Sequence, residues 1–158
     1  MARIPGLATV MLFIMGTFHA TASIACFVPS FVHDRVPKQF EPVWTFLTRP
    51  IYGDHPNQAV IHALAVVSQF VIGSVEALIG LLLLAAAFGP RRRSTFARAA
   101  LAGATLLYGV FMLTMFAMHD KSLPAWNQYP AILAWIGVTW GIVASEAREQ
   151  QSEKQVRG

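Results

Sequence analysis

Val71-Ile-Gly-Ser-Val-Glu76-Ala-Leu-Ile-Gly-Leu-Leu-Leu-Leu-Ala-Ala-Ala-Phe88 is the centre of an apolar run with no other charge from Ala59 to Pro90. A helix crosses the hydrocarbon of a bilayer with about 20 apolar residues, so this run is long enough to span it. Glu76 then lies close to the middle of the hydrocarbon. An ionisable side chain there costs at least ~2.5 kcal/mol on insertion scales, and such groups face a bundle interior or a cavity and take a partner. Glu76 is therefore the first candidate for a functional residue, and the identity of its partner is the first question.

Working outward, the chain of 158 residues is 55% hydrophobic and 13% charged, against about 25% charged for a soluble domain. Four apolar runs stand out, at about residues 7–30, 59–88, 99–118 and 124–144. Backbone exposed to lipid must satisfy its own hydrogen bonds, which leaves helices as the form for such runs. The expected fold is all-α: an integral membrane antiparallel four-helix transmembrane bundle over residues 1–145, followed by a polar cytoplasmic tail at 146–158. Within the long first loop, Phe40-Glu-Pro-Val-Trp-Thr-Phe-Leu47 predicts an amphipathic interfacial segment, because aromatic side chains favour that depth. The tail from Glu146 reads as frayed. Ser23-Ile-Ala-Cys26 looks like a lipoprotein processing box, but no charge intervenes between Arg3 and Asp34. That is too long for a signal h-region of about 7–15 residues, so the first run is expected to stay as a helix. Cys26 is the single cysteine, which rules out an intrachain disulfide.

The net charge of +4 is not a nucleic-acid footprint. Its main cluster, Arg91, Arg92, Arg93 and Arg98, lies between two apolar runs, as a cytoplasmic loop does under the positive-inside rule. With both termini on one side, eight Lys and Arg fall there and four on the other face. The expectation is a multi-pass protein of a bacterial inner (plasma) membrane with both termini cytoplasmic, whose partners are the lipid bilayer and other membrane subunits or a second copy of itself, with no nucleic acid.

Counting residues sets the depth of the polar groups. His19 is near the centre of the first run and Glu76 near the centre of the second. The two runs are sequence neighbours, so a His–carboxylate pair sharing one proton is geometrically reasonable. His62, Gln69 and Glu76 are spaced by seven and share one helix face, drifting about 20° per step. They form a polar stripe, with Ser68 beside it, that can line a hydrated path or a ligand pocket. His19, Gln69, Glu76 and His62 are the candidate ligand-binding residues. The plainer reading is that Gln69 and Ser68 are hydrogen-bonding glue between helices and that His62 is solvated at the interface. Tyr108, Trp135 and Trp140 read as packing or belt residues.

On the outer face stand three His–Asp neighbours: His33-Asp34, Asp54-His55 and His119-Asp120. Together His33, His55, His62 and His119 offer ligand types that suit zinc, but with no His pair at i, i+4 and no recognisable motif. Haem needs two histidines at matched depth, which only His62 and His119 offer, near the surface. Neither a metal nor haem is the expected cofactor. No phosphate-cradling loop, nucleophile elbow or Cys pair is present.

The stretch Gly73-Ser-Val-Glu-Ala-Leu-Ile-Gly-Leu-Leu-Leu-Leu-Ala-Ala-Ala-Phe-Gly-Pro-Arg-Arg-Arg93, continued by residues 96–112, resembles the DoxX-like group of small four-helix membrane proteins. That group has a glutamate, a Gly-Leu-rich second helix, a short basic turn and an Ala-rich third helix. The chain departs from it at His19, Cys26 and the long first loop. The resemblance implies a link to quinone-coupled oxidation of sulfur compounds, and it matches Glu76 to the group's second-helix glutamate. Two functions follow as expectations. One is a redox-associated or accessory subunit binding a lipid-soluble molecule such as a quinone in a pocket lined by His19, Gln69 and Glu76. The other is a non-catalytic structural or assembly subunit.

Overall fold

In a computed structural model of the chain, residues 6–33, 40–89, 93–119 and 125–157 are described. They form five helices: α1 (Leu7–His33), α2 (Phe40–Tyr52), α3 (Gln58–Phe88), α4 (Arg93–Met118) and α5 (Ala125–Arg157). The protein is all-α among these residues. Four helices are long and apolar enough to cross a membrane, within Leu7–Val28, Gln58–Phe88, Arg93–Met118 and Gln128–Glu149.

Local chemistry sets the ends. The Asn57 side chain accepts the Val60 N–H at 3.3 Å and caps α3, the role Asn serves well at an N-cap. At the other end the Gly89 N–H donates to the Ala85 carbonyl at 2.8 Å. α2 tolerates Pro42 because the first turn has no N–H partner to lose. It closes on Gly53, at φ +62, whose N–H donates to the Arg49 carbonyl at 2.8 Å. Glycine takes that left-handed conformation without penalty.

Two boundaries differ from the sequence reading. α4 begins at Arg93, not near residue 99, because an apolar run marks hydrocarbon depth and the backbone ladder continues past it. α5 runs on through Glu146 to Arg157 where a frayed tail was expected. Its polar extension is tied back at its start. Glu146 Oε1 accepts the Ala8 N–H at 2.8 Å, and Glu146 Oε2 lies 3.7 Å from Arg93 Nη2, which also donates to Thr9 Oγ1 at 2.8 Å. An acid at the N-terminus of α1 satisfies a donor that the helix leaves open.

The core lies where α1, α3, α4 and α5 meet. Ala8, Leu12, Met15 and His19 form the buried stripe of α1, and Ala65, Gln69, Gly73, Glu76, Gly80 and Leu83 that of α3. Both keep the spacing of three to four that defines one helix face. The contacts climb α1 as they descend α3: Gly16 meets Leu84, Ala20 meets Gly80, and Cys26 meets Gly73. At Gly80 a Cβ would stand 2.9 Å from the Ala20 nitrogen and 3.0 Å from the Gly16 oxygen, so only glycine allows these backbones to come this close. The outward faces are apolar. Leu81 is 65% and Leu113 71% exposed, a surface suited to lipid and costly in water.

Candidate functional site

α3 places Glu76 on its buried face, 3% exposed. Both carboxyl oxygens are used. Oε2 pairs with His19 Nδ1 of α1, and Oε1 accepts the Tyr108 hydroxyl of α4 at 2.8 Å. Three helices therefore converge on one carboxyl group. The surroundings are aromatic. Phe18 packs edge-on to His19, with centroids 5.4 Å apart. Tyr129 of α5 lies edge-on to Tyr108 at 5.5 Å and stacks on Phe111 at 5.4 Å with a 24° interplanar angle. An ionised carboxylate only accepts, and a hydroxyl and an imidazole N–H are the donors it needs. A carboxylic acid can instead donate to Nδ1. The arrangement thus tolerates a proton on either side of the His19–Glu76 bond.

The structure brings together His19 and Glu76. Gln69 is on the same face, fully buried, with Nε2 donating to the Cys26 carbonyl. That contact is helix–helix glue, as the plainer reading has it. His62 does not join them. It is 53% exposed, and its Nδ1 pairs with Glu41 Oε1 of α2 at 3.0 Å. At the start of α3 it is Ile61 that is buried, and His62 beside it is turned to α2. Ser68 Oγ accepts Trp44 Nε1 at 2.8 Å, tying α2 to α3.

Tyr108, read from the sequence as a packing or belt residue, is 4% exposed and bonded to Glu76. Its signal was the i, i+4 line Ala100, Ala104, Tyr108: two small residues let α3 approach, and the third side chain fills the space they leave.

The outer His–Asp neighbours do not form a cluster among the described residues. His55 and His119 are exposed, and His119 Nδ1 donates to the Ala117 carbonyl at 3.0 Å. Asp54 pairs with Arg49 at 2.8 Å. The side chain of His33, with Asp34 and Asp120, lies outside the described residues. No group of three or more His, Cys, Asp or Glu among the described residues is placed to hold a metal ion.

A cavity of about 190 Å³ lies beside the Glu76 cluster. α2 supplies one wall with Phe40, Val43, Trp44 and Leu47, the i, i+3, i+4, i+7 face of an amphipathic helix. Ser68 and Ile72 of α3, Phe111 and Met115 of α4, and Tyr129 of α5 supply much of the rest. His19, Gln69, Glu76 and His62 are not among its lining residues, so this cavity is not the pocket drawn from the sequence. It is adjacent to the carboxyl site all the same: Ile72 precedes Glu76 by one turn on α3, and Phe111 follows Tyr108 by one turn on α4. No family model, curated protein or solved structure matches this chain.

Proposed function

We propose that the protein is a multi-pass inner-membrane protein that binds the ring of a lipid-soluble molecule, such as a quinone, in the cavity under α2, and serves as a redox-associated or accessory subunit. In this reading the four long helices cross the bilayer as an antiparallel bundle with both termini cytoplasmic, and α2 lies at the outer interface. The opposed register of α1 and α3 supports the antiparallel arrangement. So does the meeting of Ala8, Arg93 and Glu146 at one end, with α2 packed on α3 near the other. The excess of Lys and Arg at the first end supports the orientation. The likeness of residues 73–112 to the DoxX-like group points the same way.

The observation that carries the ligand reading is the cavity's place. It is apolar, walled by Trp44, Phe111 and Tyr129, and one turn from a buried carboxyl group held by a histidine and a tyrosine. An apolar cavity of about 150 Å³ holds a benzene-sized ring, so this one takes a single substituted ring whose lipid tail leaves between helices. Tyr129 is the polar group in its wall that also touches the Glu76 cluster. The test is a titration of the protein in lipid nanodiscs with a short-chain quinone, following quenching of Trp44. Ile72 and Val110 both line the cavity, so Ile72→Phe and Val110→Phe fill it and are expected to weaken binding about 5- to 150-fold, the equivalent of about 1–3 kcal/mol of overpacking. Unchanged binding in both variants, with melting intact, sinks the assignment.

The assembly reading has one observation of its own. Gly137 and Gly141 lie one turn apart on the exposed side of α5, and a Cβ at either would meet nothing within 4 Å. Such small-residue pairs let another membrane helix approach. Failure of quinone binding together with co-purification of a second subunit in mild detergent would favour it.

A further inference from the structure

A shallow cleft opens between α4 and α5, near the end of the bundle where Arg93 meets Glu146. The two helices run in opposite directions there, since Arg93 meets Glu146 while Tyr108 meets Tyr129. The lining residues therefore pair off by level: Ser94 with Ala147, Arg98 with Ala144, and Leu101 with Trp140. Each wall is a single helix face, at i, i+4 and i+7 along both helices. The cleft is graded as a result. Its deep end is apolar, with Trp140 38% exposed beside the buried Leu101. Its rim carries a guanidinium and a hydroxyl, and the two alanines opposite leave the space between. Arg98 is exposed and has no hydrogen bond or ion pair among the described residues. The acid nearest in level, Glu146, is committed to Arg93 and the Ala8 N–H. Glu149 is exposed two residues beyond Ala147, and positions two apart on a helix do not share a face. Arg91, Arg92 and Arg93 precede the cleft, and no Asp or Glu occurs between Glu76 and Asp120.

The geometry points to a phospholipid site in this cleft: the Arg98 guanidinium and the Ser94 hydroxyl hold the phosphate of an anionic headgroup, and an acyl chain lies over Leu101 and Trp140. A guanidinium bonds two phosphate oxygens at once, and the serine adds a third donor. Basic clefts between membrane helices at the headgroup level take anionic lipids in this way, and a tryptophan at their deep end sits where such rings favour the interface. The gradient of the cleft selects the occupant. Free phosphate uses the rim and leaves the apolar end bare. A zwitterionic headgroup brings an ammonium towards Arg98 and the three arginines before it, where an anionic headgroup brings none. The inference takes from the reading above only that the long helices cross a bilayer. It does not depend on the α2 cavity, whose lining shares no residue with this cleft, so loss of quinone binding and loss of lipid binding are separate results.

The test uses the full chain, stripped of lipid in mild detergent and titrated with phosphatidylglycerol or phosphatidylcholine of the same chains, with bound lipid counted by native mass spectrometry. The first phosphatidylglycerol is expected to bind about fivefold more tightly than phosphatidylcholine, the effect of one arginine at a lipid surface. Arg98→Gln is expected to remove that preference. Arg148→Gln takes the same charge from an exposed position of α5 outside the cleft lining, and is expected to keep it. Ala144→Phe keeps every charge and fills the cleft, and is expected to lose the tight lipid. Ala147→Leu provides the same reading if the phenylalanine variant does not fold. No preference in the wild-type protein overturns the proposal outright. Equal losses in Arg98→Gln and Arg148→Gln reduce it to diffuse attraction, and unchanged binding in the filled cleft places the lipid elsewhere. Inorganic phosphate bound as tightly as the lipid rules out a lipid as the occupant.

Discussion

Tyr108→Phe removes one oxygen from the core and leaves the ring where it is, so it isolates the hydrogen bond to Glu76. The hydroxyl donates at 2.8 Å to Oε1, and the ring keeps its contacts with His19, Phe111 and Tyr129. Two magnitudes compete. A hydrogen bond between membrane helices averages about 0.6 kcal/mol, because the unfolded chain in the membrane finds other partners. A bond to a charged group is worth about 1.5–3 kcal/mol. Glu76 has few alternative donors, since its second oxygen is already paired with His19 and the site is closed to solvent, which favours the larger value. Reversible unfolding in mixed micelles gives the loss directly, and a cycle with Glu76→Ala, which leaves no acceptor, divides it. A loss of about 1.5–3 kcal/mol that largely disappears in the Glu76→Ala background says that the carboxyl group is the tyrosine's partner. The same cycle applied to His19→Ala and Glu76→Ala is expected to give single losses of about 3–5 kcal/mol and a double mutant well short of their sum, because each single change strands a buried polar group. Additivity within about 0.5 kcal/mol in both cycles would refute the picture of three helices meeting on one carboxyl group.

Gly80→Ala places a methyl 2.9 Å from the Ala20 nitrogen, and backbone there cannot yield as a side-chain tip can. A loss of about 1–3 kcal/mol from overpacking is expected, read as a lower midpoint in the same unfolding assay. Glu146→Ala frees the Ala8 N–H and releases Arg93. It is expected to cost about 0.5–2 kcal/mol, the range for a lost cap, and to speed amide exchange in the first turn of α1 more than elsewhere.

The parts of this molecule that the sequence makes legible are those where an energetic penalty is large and local. Glu76 is one, since a lone acid in a long apolar run must be explained by a partner, and counting residues to the midplane finds His19. Tyr108 is not legible on the same terms. Tyrosine is at home both in a membrane interface and in a core, and its choice between them depends on which face of α4 meets α3. The stripe His62, Gln69, Glu76 is legible only in part, because the spacing gives the face and not the neighbour: at the start of α3, His62 pairs with Glu41 of α2. α2 itself shows the division most clearly. Its amphipathic face, Phe40, Val43, Trp44 and Leu47, can be read from the spacing. The consequence of that face, a ring-sized space held between it and Ile72, Phe111 and Tyr129, belongs to three other helices and has no signature in any one of them. The carboxyl group that the sequence singles out and the cavity that it hides are one helical turn apart, so the site has to be sought across the α3–α4 faces rather than along the single stripe that first drew notice.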